Sequence, residues 1–162
     1  MPSRAIETMQ IRACALVWSA GRLLVQSARS NQRTWALPGG RLEKGETLEE
    51  CLRREFREEM AITLRPGRLL FVNEHFFRDE GRPTQEYGFY FLCETEESAE
   101  SLKQKTASPV ETQLVFRWIT PEEADSLVLY PEFLKHYLRE LPTAPLFLRS
   151  DHVSSPPRRA DD

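Results

Sequence analysis

Three carboxylates, Glu55, Glu58 and Glu59, stand at i, i+3 and i+4 in a stretch free of Gly and Pro. That spacing puts acidic groups on one side of a helix if the stretch is helical. Advancing about 100° per residue from Leu48, Glu55 and Glu59 fall about 20° to either side of it and Glu58 about 80° away. Cys51, Leu52 and Phe56 share that sector, so it must face inward. Glu49, Glu50, Arg53 and Arg57 occupy the other side, where a Glu-rich helix normally meets solvent with i,i+4 ion pairs. Carboxylates at a buried edge are costly unless hydrogen bonds or a cation compensate them. A hard divalent metal is the economical compensation, since such ions take oxygen ligands.

The preceding loop carries the complementary groups. Gly39 and Gly40 can present backbone carbonyls to a metal, and Glu43 and Glu46 add acid nearby. From Glu43 to Glu59 there are seven Glu against Lys44, Arg53, Arg54 and Arg57, a local balance of −3. An anionic ligand would be repelled there without Mg²⁺ or Mn²⁺.

These residues resemble the Nudix box of MutT-like diphosphohydrolases, G-x5-E-x7-R-E-U-x-E-E-x-G-U, in which U is a bulky apolar residue. Gly40 is followed after five residues by Glu46, then after seven by Arg54-Glu55-Phe56-Arg57-Glu58-Glu59-Met60-Ala61-Ile62. One position departs, the final Gly being Ala61, where a helix commonly ends in a left-handed residue. The resemblance implies an α/β fold, a Nudix-like α/β/α sandwich with a mixed β-sheet, and metal-dependent hydrolysis of a diphosphate linkage in a nucleoside diphosphate derivative. By position, Glu55, Glu58, Glu59 and the Gly39 carbonyl are the expected ligands of Mg²⁺ or Mn²⁺, and Arg54 orients the carboxylates by charge-assisted hydrogen bonds. Glu55 or Glu58 is the expected catalytic base. Some relatives take the base from a loop outside the box, for which Glu86 and Glu111 are the candidates.

The resemblance does not name the substrate. Relatives acting on ADP-ribose carry a Pro beyond the box and those acting on dinucleoside polyphosphates a Tyr; here that region reads Arg78-Asp79-Glu80. The aromatic and Pro signals of NADH-specific relatives are also missing. The alternative within the same fold is a nucleotide-binding or sensing domain without turnover.

The whole chain sets the frame. At 162 residues it fits one domain, expected over residues 1–148 with a mobile tail at 149–162 rich in Ser, Pro and Arg. Apolar residues at 40% and charged ones at 29% suit a globular protein, and no apolar run approaches the ~18 residues of a membrane span. The N-terminus lacks the pattern of a secretory signal, which makes the cytoplasm the expected location. Cys14, Cys51 and Cys93 are odd in number and far apart, so they read as reduced apolar residues rather than disulfides or metal ligands. A net charge of −3 disfavours duplex nucleic acid and basic RNA-binding modules. The expected partners are a small nucleotide-diphosphate substrate and a second copy of the chain.

The elements that would position the site are legible in outline. Ile11–Trp18 and Arg22–Gln26 read as strands joined at Ala20-Gly21, and Trp35–Glu46 as a loop. Thr47 and Glu50 form a capping box before a helix that runs to Met60. Ile62–Phe77 and Glu86–Cys93 read as a second strand pair around Arg78–Thr84, with Tyr87–Phe91 central. Glu94–Pro109 reads as a polar loop, Leu114–Ile119 as a strand, and Thr120-Pro121-Glu122-Glu123 as a capped helix start. Phe133–Leu141 is the expected last helix. Trp35 and the run His75-Phe76-Phe77 read as packing residues rather than base-stacking ones.

Overall fold

Alternation of apolar and polar residues over long stretches makes strands the dominant element. In the computed structural model, which describes residues 4–153, they are β1 (Thr8–Ser19), β2 (Arg22–Ala28), β3 (Asn31–Ala36), β4 (Gly39–Arg41), β5 (Leu64–Asp79), β6 (Arg82–Thr95), β7 (Leu114–Ile119), β8 (Val128–Tyr130) and β9 (Leu146–Asp151). The helices are α1 (Leu48–Met60), α2 (Ala99–Ala107) and α3 (Pro121–Asp125). The sheet order is β8-β3-β2-β1-β6-β5-β9, with β4 paired to β1 and β7 to β2. β1 runs parallel to β6, Gln10 opposite Glu86 and Arg12 opposite Gly88, while β5 and β6 form one long antiparallel hairpin. The sheet is therefore mixed.

Each face of the sheet has its own core. On one, Cys51, Leu52, Phe56 and Met60 of α1 and Leu102 of α2 pack on Ala13, Ala15 and Val17 of β1. On the other, Leu16, Leu23, Trp35 and Phe71 pack on Ala124 of α3 and on Leu134 and Leu138. This is the expected α/β/α sandwich. Fully buried side chains such as Leu52 and Phe56 stabilise by about 1.5–3 kcal/mol each. That burial anchors α1 firmly enough to hold acidic residues beside it.

α1 begins as expected. The Glu50 N–H donates to the Thr47 hydroxyl at 3.1 Å and the Thr47 N–H to the Glu50 carboxylate at 2.8 Å. It ends at Ala61 with φ 54° and ψ 34°, the Ala61 N–H bonding Arg57 O and the Ile62 N–H bonding Phe56 O. The left-handed stop normally given to Gly is thus made by Ala, at a steric cost of about 1–2 kcal/mol that Gly would not bear. Allowing for the greater freedom Gly has when unfolded, Ala61→Gly should stabilise the protein by about 1 kcal/mol, raising Tm by about 2–4 °C in a thermal melt.

Several elements differ from the sequence reading. Gly39–Arg41 is a strand rather than loop, because two residues without side chains let their backbone lie against Ala13 and Cys14. The polar segment after β6 contains α2, capped by Ser98, whose hydroxyl accepts from the Ser101 N–H. The last expected helix is a short 3₁₀ turn, Glu132–His136, since Phe133 and Tyr137 turn their rings onto Phe71 at centroid distances of 5.2 and 5.1 Å. The tail does not begin at residue 149. β9 runs parallel to β5 as far as Asp151, held by Leu146 and Leu148 on the core and by Arg149–Glu74 and Arg4–Asp151 ion pairs. Residues 154–162 of the expected tail lie outside the described residues. No helix among the described residues is long and apolar enough to cross a membrane.

Candidate active site

Arg54 is the hub of the acidic cluster. Its Nε and Nη2 take the two oxygens of Glu46 at 2.5 and 3.1 Å, and its Nη1 reaches Glu55 Oε1 at 2.9 Å and Glu58 Oε2 at 3.4 Å. Nη2 also bonds the Arg41 carbonyl at 3.3 Å, tying α1 to the end of β4. Hydrogen bonding to Arg54 holds the Glu46 carboxyl below the usual range, and the same carboxylate accepts the Glu43 N–H. Glu46 therefore braces Arg54.

Glu55 lies in the space that a side chain at residue 40 would need. A Cβ there would sit 2.1 Å from Glu55 Oε1, whereas at Gly39 it would sit 2.0 Å from the Ala13 carbonyl. The two glycines thus fail differently when substituted. Gly40→Ala should leave the fold intact and lower turnover roughly 10- to 100-fold by displacing Glu55. Gly39→Ala collides with backbone and should instead unseat β4 and lower Tm; turnover assays and melts on both variants separate the two effects.

Glu59 is the perturbed member. Its Oε2 is buried without a hydrogen-bond partner in the described structure. Burial first, then the charge and hydrogen bonding of Glu55 and the charge of Glu111, push its carboxyl up to about 8, against a smaller opposing pull from Arg12. Glu58 is turned outward, its side chain 59% exposed. With Arg54 drawing Glu55 and Glu58 to itself, no three acidic, His or Cys side chains among the described residues are gathered closely enough to hold a metal as they stand. The donor set nevertheless suits a hard divalent cation: all ligands are oxygen, and Glu59 keeps a buried oxygen unpaired.

The two base candidates outside the box part company. Glu111 lies at the C-terminal end of α1, its N–H donating to the Glu59 carbonyl at 3.0 Å. Glu86 is buried on β6, where its Oε2 accepts from Gln10 Nε2 at 2.5 Å and Arg12 Nε at 3.2 Å. It lines a cavity of about 820 Å³ together with Arg12, Gln26, His75, Phe77 and Tyr130. That volume lies in the range of small-molecule sites. Arg12, Ala13 and Cys14 register with Arg41, Gly40 and Gly39, so the cavity and the acidic helix meet at the β1–β4 seam.

A family model described as the NUDIX domain matches residues 8–141. The chain belongs to the Nudix family. Nucleoside triphosphatase NudI of Salmonella paratyphi B is 32% identical over 129 residues, 72% of this chain and 84% of that protein. The human 8-oxo-dGDP phosphatase NUDT18 is 47% identical over 53 residues, 32% of this chain; the match spans only 16% of NUDT18. A Nudix hydrolase structure from Nitrosomonas europaea shares the fold with a TM-score of 0.61 at 13% identity, over 90% of this chain and 81% of that one. Nudix hydrolases generally use divalent metal ions and act on small nucleotide substrates.

With the Nudix box placed on α1, the sequence reading accounts for the helix but not for the cavity. Arg12 and Gln26 gave no signal, being single polar residues inside apolar strands. His75 and Phe77, read as packing residues, line the cavity, their rings stacked at 4.6 Å, and only Phe76 between them is buried. The period-2 alternation of a strand was the available cue, since it sends residues 75 and 77 to one face. Trp35 is buried in the core, as read.

Proposed function

We propose that this Nudix chain hydrolyses a diphosphate linkage in a nucleoside diphosphate derivative, using Mg²⁺ or Mn²⁺ held by Glu55, Glu58, Glu59 and the Gly39 carbonyl. The observation that carries this reading is Glu59, a buried carboxyl with an unpaired oxygen beside Glu55 on the same helix face. A divalent ion supplies charge neutralisation of the diphosphate and a more acidic water. Arg54 holds Glu55 and Glu58 in place. Glu59 would give up its proton to hold the cation. Glu55 or Glu58 on α1, or Glu111 at the helix end, accepts the proton of the attacking water. Glu86 is already committed to Gln10 and Arg12, which makes it the weakest of the base candidates.

The names of the relatives support different substrates, a nucleoside triphosphate for NudI and 8-oxo-dGDP for NUDT18. A screen of nucleoside di- and triphosphates (oxidised ones included), NDP-sugars, dinucleoside polyphosphates, NADH and CoA with Mg²⁺ or Mn²⁺, products identified by mass, tests the reading. Cleavage between two phosphorus atoms in at least one class is the expected result. Saturable nucleotide binding with no cleavage in any class would favour the sensing alternative.

A further inference from the structure

The cavity beside the acidic helix has a polar inventory that the diphosphate chemistry does not use. Arg12 and Glu86 form an ion pair at 3.2 Å on its wall, Arg12 half-buried and Glu86 buried. Both of these hydrogen bonds to Glu86 fall on Oε2, which leaves Oε1 for a ligand. Two further lining residues carry buried polar atoms without partners, Gln26 Oε1 and His75 Nε2. A buried polar atom is costly to leave unpaired, and the Gln26 acceptor among these cavity residues points to a ligand that donates a hydrogen bond to it. Phe77, stacked with His75, and Tyr130 offer flat aromatic surface for a ring.

A guanidinium donor beside a carboxylate acceptor matches a purine edge carrying a carbonyl next to an N–H. Adenine also presents an adjacent donor and acceptor, so that pair alone does not discriminate. A further acceptor does, because guanine adds an exocyclic amine next to its ring N–H and adenine and hypoxanthine do not. We propose that Arg12, Glu86 and Gln26 read the Watson–Crick edge of a guanine base seated in this cavity, Arg12 donating to O6, Glu86 accepting from N1–H and Gln26 Oε1 accepting from the N2 amine. The assignment rests on the nucleotide reading of the site and names the base that the site selects.

Binding of GMP, IMP and AMP to the full chain, followed by calorimetry with Mg²⁺ present, tests it without requiring turnover. IMP keeps the carbonyl and ring N–H and lacks only the amine. GMP should bind about tenfold or more tightly than IMP, the usual effect of leaving one buried hydrogen-bonding group unmet, and AMP should bind more weakly than GMP. Gln26→Leu should abolish the GMP-over-IMP preference while melting at or above the wild-type temperature, because it removes a stranded oxygen rather than a bond. Glu86→Gln should weaken GMP and IMP alike. Equal affinity for GMP and IMP in the wild type, a preference that survives Gln26→Leu, or no binding of any of the three would overturn the assignment. If the preference holds while the substrate screen shows no cleavage, the hydrolase reading fails and the base reading stands; if cleavage occurs without base preference, the hydrolase reading stands and the base reading fails.

Discussion

Glu59→Gln should lower turnover by on the order of 10²-fold or more and, at pH 8, raise the melting temperature of the metal-free protein. Both effects come from one buried oxygen. As a ligand it acts on charge that builds up in the transition state, where such groups have their largest influence. Without metal it is a liability: the folded protein holds the Glu59 proton up to about pH 8, whereas the unfolded chain releases it near 4.5. The folded state therefore binds more protons through that window, and stability falls as pH rises across it. Gln has no proton to lose, so the variant's melting temperature should lack that decline. Glu55→Gln and Glu58→Gln should show losses of turnover of similar order. Glu49→Gln and Glu50→Gln, on the other side of α1, should leave it almost unchanged, the latter because Gln also completes the capping box. Turnover and melts between pH 5 and 8 on the five variants check this; wild-type rates in both Glu58→Gln and Glu59→Gln would remove the site from α1.

Arg54→Ala should be nearly as damaging, by a different route. One guanidinium neutralises Glu46 and Glu55, whose side chains are each 16% exposed, and steers the outward Glu58. Hydrogen bonding to Glu46 in turn raises the Arg54 pKa well above its ordinary value, so the charge is never lost. Removing it leaves partly buried carboxylates in mutual repulsion, which should lower Tm and cost on the order of 10²-fold in turnover through misplacement of Glu55. Arg54→Lys should not restore activity, because a compact ammonium lacks the planar fork whose Nε, Nη2 and Nη1 reach the two oxygens of Glu46 and one of Glu55. A divalent ion should raise the Tm of Arg54→Ala more than that of the wild type, since it restores positive charge to the same cluster. A variant that melts and turns over like the wild type would show that the carboxylates need no such brace.

The acidic helix was legible because its information is local. Spacing on α1, the capping box at Thr47 and the two glycines before it all lie within one short stretch. The left-handed Ala61 shows the limit of such reading even there: the backbone stop survives the loss of Gly because the bonds to Arg57 and Phe56 and the burial of Ile62 hold it. The cavity was not legible because its walls come from β1, β2, β3, β5, β6, β8 and β9, strands that only the folded sheet brings together. α2 was missed for want of an apolar stripe, burying only Leu102 and Thr106. The 3₁₀ turn at Glu132–His136 replaced a helix because the aromatic cluster on Phe71 decided its backbone. β9 was missed because what holds it, Arg149 on Glu74 and Arg4 on Asp151, joins residues 75 and 147 positions apart in the sequence.

Calorimetric titration of Mn²⁺ into wild type and Glu59→Gln, in buffers of different ionisation enthalpy, tests the central claim that these carboxylates form a divalent metal site. The wild type should bind saturably, with affinity rising from pH 6 to 8 and a proton released on binding, because the cation competes with the Glu59 proton. The Gln variant should bind more weakly and release fewer protons. Absence of saturable binding in the wild type even with a nucleoside diphosphate present, or identical binding in the two proteins, would contradict the account.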